Sequence, residues 1–266
     1  MTISIIKIGG NVIDFPAKLD EFLFILSRFP GKKILVHGGG VLASKFGESL
    51  GIQPNLVEGR RITDKETLDV VTMVYAGLIN KQIVAKLQSY KQNAIGMTGA
   101  DGNLIRSDKR PVKTIDYGFV GDIKEVNVPL LENLLTNDIL PVVCAITHDK
   151  KGQLLNTNAD SIASELATNL AKKFRVNLYY CFTKAGVLID EHNDNTIIPT
   201  INEEIYAELR KENVIHSGMI PKLDNAFAAL NQGVSFVWIG KAENLLLASK
   251  GKLSGTTIEK QKYDLY

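Results

Sequence analysis

Along the chain, short apolar runs alternate with longer stretches in which apolar residues return every three or four positions. The runs predict β-strands and the stretches predict amphipathic helices. Residues 3–8 (ISIIKI) read as a strand, 17–29 as a helix, 33–37 (KILVH) as a second strand, and 41–50 as a second helix closed by Gly51. Thr63-Asp-Lys-Glu66 has the form of a capping box and opens a helix running to about Tyr90. In it Leu68, Val71, Val74, Tyr75, Leu78 and Ile79 recur at helical spacing yet cover more than one side. Such a helix serves its own core with one side and offers the other as a candidate homodimer contact.

Residues 93–97 form a further strand. The short runs LIRS, VKTID and IKEVNV then predict an antiparallel hairpin insertion around Tyr117-Gly-Phe-Val-Gly121, and Pro129 opens a short helix. Residues 140–146 read as a buried strand and 148–153 as a polar turn, after which LLNTNAD (154–160) leads into a helix reaching about Lys173. A strand at 176–182, a glycine turn at Lys184-Ala-Gly186, helices near 202–212 and 218–230, a strand at 235–239 and a last run at 255–258 complete the pattern. Alternation of this kind predicts an α/β fold with parallel strands joined by right-handed helical crossovers. A lobe boundary is expected near residue 175, dividing 1–175 from 176–266.

Composition narrows the picture. With 266 residues, 45% of them hydrophobic, the chain can bury a core without covalent staples. Its 31 basic and 29 acidic residues leave a net charge of +2, so no polyanion-binding surface and no nucleic-acid partner are expected. Cys144 and Cys181 lie in apolar runs (VVCAI, YYCFT), as buried, reduced thiols in a cytoplasmic protein would. No His/Cys cluster has metal-ligand spacing, so no protein-held metal is expected. The apolar start MTISIIKI stops at Gly9-Gly10, too short to span a membrane, and reads as the first strand.

Two readings compete for KILVHGGGVLASKFGESLG (33–51). His37-Gly38-Gly39-Gly40 spells an esterase oxyanion-hole motif, and Gly47, Ser49 and Gly51 spell a nucleophile elbow. An elbow serine needs a strand beneath it, whereas Ser49 lies well inside a helix, and the two motifs are too close together in sequence to hold the intervening elements. His148 and His192, candidate bases along with His216, fall in polar turn sequence. The other reading is anion binding by backbone amides. Gly9-Gly10 ends the first strand and the HGGG glycines end the second, so two amide-bearing turns stand at neighbouring strand ends. Lys7, inside the apolar run ISIIKI, is expensive to bury without an anionic partner and is therefore a candidate functional cation. No Walker or protein-kinase signature is present, so a nucleotide site here has a different design.

KIGGN (7–11), VHGGG (36–40), GRRIT (59–63), LLNTNAD (154–160), the glycine turn after VNLYYCFT, and GMIPKL (218–223) occur in this order. Together they resemble the amino acid kinase family over essentially the whole chain; UMP and carbamate kinases differ at the substrate motifs, and GRRIT with LLNTNAD resembles the branch acting on N-acylated glutamates. The resemblance implies a three-layer α/β/α sandwich around a mainly parallel sheet, with a substrate-binding and dimer-forming N-terminal lobe and an ATP-binding C-terminal lobe. It implies phosphoryl transfer from ATP to the side-chain carboxylate of an N-acetyl or N-succinyl glutamate, with Mg2+ held mainly through the nucleotide phosphates. It also implies a homodimer free of arginine feedback inhibition. A non-catalytic metabolite sensor with the same fold is the competing class.

By motif match, the resemblance makes Lys7 and Lys222 the cations at the transferring phosphoryl group and Asp160 the carboxylate that holds them. Gly9 and Gly10 would cradle phosphate, Gly39 and Gly40 the substrate. Arg61 would clasp the substrate α-carboxylate, with Arg60 as its rival, and Asn156 would bind the substrate's backbone or acyl amide. Thr183, Lys184, Gly186 and Met219 would contact the nucleotide. Thr183-Lys184 and Ser217 depart from the acidic residues common in relatives, and a phosphate-facing Lys184 is the expected compensation.

Overall fold

The computed structural model describes residues 1–57, 60–190, 192–215, 219–252 and 254–260. Gly59 of GRRIT, His216, Ser217 and Gly218 lie outside the described residues.

The strands in chain order are β1 (Thr2–Ile8), β2 (Lys32–His37), β3 (Leu56–Val57), β4 (Arg60–Arg61), β5 (Ala94–Met97), β6 (Ile105–Lys109) and β7 (Gly121–Val126). They continue with β8 (Leu140–Cys144), β9 (Ile146–His148), β10 (Leu154–Asn156), β11 (Arg175–Phe182), β12 (Thr200–Ile201), β13 (Phe236–Lys241) and β14 (Thr256–Ile258). Eight form one sheet in the order β12-β14-β13-β11-β1-β2-β8-β5, in which every neighbouring pair is parallel except β13–β14. β1 lies near the middle. Its Ile5 and Ile6 point to opposite faces, and both are fully buried. A parallel sheet covered on both sides needs such continuous apolar strands, and the result is the three-layer α/β/α sandwich that the family resemblance implies.

The helices are α1 (Gly10–Ile13), α2 (Pro16–Ser27), α3 (Gly40–Ser49), α4 (Lys65–Thr72), α5 (Asn80–Ser89), α6 (Val128–Thr136), α7 (Ala159–Ala171), α8 (Glu203–Lys211) and α9 (Ile220–Asn231). α7 packs on β1, β2 and β11 and against α9, while α5 packs on β5 and β8 and against α2. Between α4 and α5 the helix widens into a π-helical segment, Met73–Ile79, so the three run as one rod over Lys65–Ser89. That rod is long and apolar enough by composition to cross a bilayer, but Leu68, Val71, Ile83 and Leu87 are buried in the core beside the sheet. The cap differs by one residue from the sequence expectation: Asp64, not Thr63, is the N-cap and accepts the Thr67 N–H at 2.8 Å. The Thr63 hydroxyl donates instead to Arg61 O.

A second sheet, β10-β9-β6-β7, carries the expected hairpin insertion, with β6 and β7 as antiparallel arms. VKTID is not a strand; the stretch is exposed, and Asp116 closes a turn by accepting the Gly118 N–H at 2.8 Å. The polar stretch 148–153 connects β9 to β10, with Lys150 and Gly152 at positive φ. Asp149 closes this turn by accepting the N–H groups of Lys151 and Gln153 at 2.7 and 3.1 Å, side chain–backbone bonds that alternation does not reveal.

Both cysteines are buried. Burial pushes the Cys144 thiol up to about 12 and the Cys181 thiol up as well. The folded protein is therefore expected to leave both thiols unmodified by a thiol reagent at pH 8, and to expose two upon unfolding in denaturant; rapid labelling of the folded state would contradict this packing.

Candidate active site

In an open parallel sheet, ligands gather where strands end at their carboxyl side. β1 ends in Lys7-Ile8, flanked by the end of β2 at His37 and the end of β11 at Phe182. A cavity of about 400 Å³ opens there, lined by Lys7, Gly10, Gly40, Asp160, Thr183 and Lys222 among others.

Lys7 and Lys222 meet on one carboxylate. Lys7 Nζ lies 2.6 Å from Asp160 Oδ1, and Lys222 Nζ donates to Asp160 Oδ2 at 2.8 Å. The side chains of Lys7 and Asp160 are each only 13% exposed and that of Lys222 28%. Burial alone would raise the Asp160 carboxyl; the two ammonium groups outweigh it and hold the carboxyl well below the ordinary range. Asp160 is placed by the first turn of α7, where the Asn158 side chain, as N-cap, accepts the N–H groups of Asp160 and Ser161 at 2.8 and 3.1 Å. Lys222 comes from the first turn of α9, next to Pro221. Two cations around one anion leave a local excess of positive charge facing the cavity, which suits an anionic ligand.

The glycines divide into different roles. Gly9 N–H is committed to the sheet, donating to Cys181 O at 3.0 Å, so Gly9 lines the cavity without a free amide, a correction to its expected role. Gly10 and Asn11 line the cavity and precede the first intrahelical bond of α1, from Val12 N–H to Gly9 O. Gly39 has φ +148°, and a Cβ there would fall 2.1 Å from Ile79 Cδ1. Only glycine lets the turn pass beneath the π-helical segment. Gly40 opens α3.

His37, which the sequence places at the head of HGGG, is fully buried. Its Nδ1 lies 2.9 Å from Gly38 O, and its Nε2 lies 3.0 Å from Asn80 Nδ2, which also donates to Val142 O. Asn80 Nδ2 can only donate, so the ring is the Nδ1–H tautomer, donating to Gly38. Burial first, with a contribution from nearby Lys81, pulls its pKa down to about 4 despite the Gly38 bond. His37 is thus a neutral strut under the glycine turn. Ser49 is exposed at the end of α3, donating to Phe46 O at 2.7 Å, which removes the nucleophile reading. His148 pairs with Asn103 and is remote from the cavity lining.

Arg61 and Arg60 separate here as the sequence could not separate them: Arg60 is exposed, whereas Arg61 is half-buried against α3. Arg61 Nη2 donates to Gly40 O at 2.8 Å and to Ser44 Oγ at 2.6 Å. Asn156 lies on β10 outside the Lys7 cavity; its Nδ2 donates to Thr63 Oγ1 at 3.0 Å, two residues beyond Arg61. Of the expected nucleotide contacts, Thr183 lines the cavity, but Lys184, Gly186 and Met219 do not. Gly186 is needed for packing, because a Cβ there would fall 2.7 Å from Thr256 Oγ1, the acceptor for the Val187 N–H. Met219 is the N-cap of α9, its carbonyl accepting the N–H groups of Lys222 and Leu223. Tyr180 in the cavity wall, Ser44, Tyr75 and Asn80 escape a motif-based reading because each acts through a contact distant in sequence.

The sequence profile of the amino acid kinase family matches residues 2–241. The acetylglutamate kinase of Cytophaga hutchinsonii is 55% identical over 256 residues, 96% of this chain and 97% of that protein. The acetylglutamate kinase of Parabacteroides distasonis is 52% identical over 91% of this chain and 94% of its own. Among solved structures, the N-acetylglutamate synthase of Neisseria gonorrhoeae superposes with a TM-score of 0.84 at 20% identity, covering 98% of this chain and 60% of that one. This last likeness is one of fold.

The His37 strut predicts a pH dependence. Its folded pKa lies below the unfolded value of about 6.5, so the unfolded chain takes up a proton that the folded state refuses. Stability is full above about pH 6.5 and declines towards pH 4, by on the order of 3 kcal/mol if the whole shift is expressed. In urea-unfolding titrations His37→Gln is expected to flatten the slope between pH 6.5 and 5; an unchanged slope would show that another group carries it.

Proposed function

The chain belongs to the amino acid kinase family, and from that premise we propose that it phosphorylates the side-chain carboxylate of N-acetyl-L-glutamate with ATP, a step of arginine biosynthesis. The observation that carries the catalytic assignment is the Lys7–Asp160–Lys222 arrangement at the sheet's carboxyl edge, beside two glycine turns.

The chemistry asks for what this arrangement supplies. A glutamate side chain, with a reference pKa of about 4.3, is already ionised at neutral pH, so no general base is required. The obstacle is repulsion between the anionic nucleophile and the anionic γ-phosphoryl group, and it is met by alignment and by fixed positive charge. Lys7, rising from β1, and Lys222, from α9, stand on two sides of the transferring group, while Asp160 holds both ammonium groups at a fixed separation. The amides of Gly10 and Asn11 add donors to phosphate oxygens. Arg61, a planar fork, receives the substrate's α-carboxylate, and Asn156 its amide.

Asp160 is already engaged by both lysines, and among the described residues no group of three or more His, Cys, Asp or Glu side chains converges. The site's donors suit phosphate oxygens, so a Mg2+ ion would be brought with ATP, where it would shield nucleotide charge. Residues 1–175 hold the amino acid and 176–266 the nucleotide. The protein works in the cytoplasm as a homodimer through the outer side of the 65–89 rod, where Met73 is 57% exposed. Sedimentation of wild type should give a dimer, and Met73→Glu should shift it towards monomer.

The decisive assay traps the acyl phosphate with hydroxylamine and compares N-acetylglutamate, N-succinylglutamate, free glutamate and aspartate. N-acetylglutamate is expected to react best. Lys7→Ala and Lys222→Ala should each lower kcat by about 10²–10³-fold while retaining substrate binding, as loss of an electrostatic donor does. Substrate binding without turnover in wild type would mark a sensor, and a preference for N-succinylglutamate would reassign the acyl group.

A further inference from the structure

Arg61 sits on β4, a strand of two residues that pairs, among the described residues, with the two residues of β3. Its guanidinium is fixed. Nη2 donates to Gly40 O at 2.8 Å and to Ser44 Oγ at 2.6 Å. The Ser44 hydroxyl donates in turn to the same Gly40 carbonyl at 3.0 Å, closing a triangle of three groups. Tyr75, buried in the π-helical segment, lies beside the guanidinium and packs against Gly39. The glycine turn, the start of α3 and the arginine therefore form one polar unit, tied together by a single serine from the first turns of the helix.

We propose that Ser44 is a positioning residue for Arg61, setting the orientation in which the guanidinium meets a carboxylate of the amino-acid substrate. This rests on the reading of Arg61 as the substrate's carboxylate ligand. A guanidinium offers five N–H donors in one plane, so fixing Nη2 at two acceptors fixes the plane and leaves Nε and Nη1 as the donors not committed to Gly40 and Ser44. Ser44 accomplishes this because its hydroxyl bonds back to the carbonyl four residues earlier, a habit of serine in helices, which turns its lone pairs outward to Arg61. Alanine at this position would keep the helix and lose the acceptor. The guanidinium would then be held to α3 by Gly40 O alone and would swing about that bond.

The consequence falls on one substrate only. Ser44→Ala is expected to lower kcat/KM for N-acetylglutamate about 10-fold through KM, with kcat and the KM for ATP within twofold of wild type. Ser44→Thr, which keeps the hydroxyl, should recover most of the loss. In an Arg61→Ala background, Ser44→Ala should have no further effect on kcat/KM, a quantity measurable without saturation. An unchanged KM in Ser44→Ala, an equal change for both substrates, or the same loss with and without Arg61 would overturn the proposal. If Arg61→Ala itself leaves the KM for N-acetylglutamate unchanged, the reading of Arg61 fails and the role of Ser44 with it, an outcome distinct from failure of Ser44 alone.

Discussion

The bonds from Lys7 and Lys222 to Asp160 are the interaction on which the rest of the molecule depends. A lysine in the middle of a parallel sheet cannot give up its hydration without an anion to face. Asp160 supplies that anion at 2.6 Å, and it can remain charged in a buried place because Lys222 faces its other oxygen at 2.8 Å. The three residues belong to β1, α7 and α9, so satisfying one buried charge draws together elements more than 200 positions apart in sequence. Removing one partner from such a cluster would leave the others buried and uncompensated, which is the costly case for internal ion pairs. The same cluster lines the cavity with an excess of positive charge, the property on which the proposed phosphoryl transfer rests.

Around that cluster, close approach of backbone is the second requirement. Gly39 passes under Ile79 and Tyr75, and Gly96 passes under Asn80, where a Cβ would meet Oδ1 at 1.8 Å. Both clearances are demanded by one stretch of the long rod, where the helix widens at Met73–Ile79 and then delivers Asn80 to His37. Widened turns of this kind are frequent at functional sites. Here the widening presses two side chains onto the glycine turn and aims a third at the histidine beneath it. His37 is therefore part of the support for the glycine turn, although its motif spells a hydrolase.

The sheet strands were legible because each is a near-continuous apolar run: ISIIKI and KILVH need no partner to be recognised. The hairpin insertion was legible only in outline. VKTID alternates like a strand but closes a turn through Asp116, and the helix cap falls on Asp64 because Thr63 is drawn away by Arg61 and Asn156. In the site, Lys7 stood out as a charge misplaced in an apolar strand, whereas Lys222 and Asp160 were ordinary by themselves and stood out only through resemblance. Gly186 and Met219 belong to motifs and also have structural duties that the motifs do not announce: the first packs against Thr256 and the second is the N-cap of α9.

What the sequence by itself determined is the set of parts: strand and helix order, glycine turns after the first two strands, reduced buried thiols, and one lysine needing an anion. Those features follow from local periodicity and from the cost of burying polar groups, and both act within a few residues. The tertiary structure alone left Arg60 exposed and Arg61 half-buried against α3, committed the Gly9 amide to the sheet, and set Ser44 and Tyr75 beside Arg61. These outcomes depend on which atoms meet across long separations in the chain, and hydrogen bonds a few ångströms long leave no period in the sequence by which to foresee them.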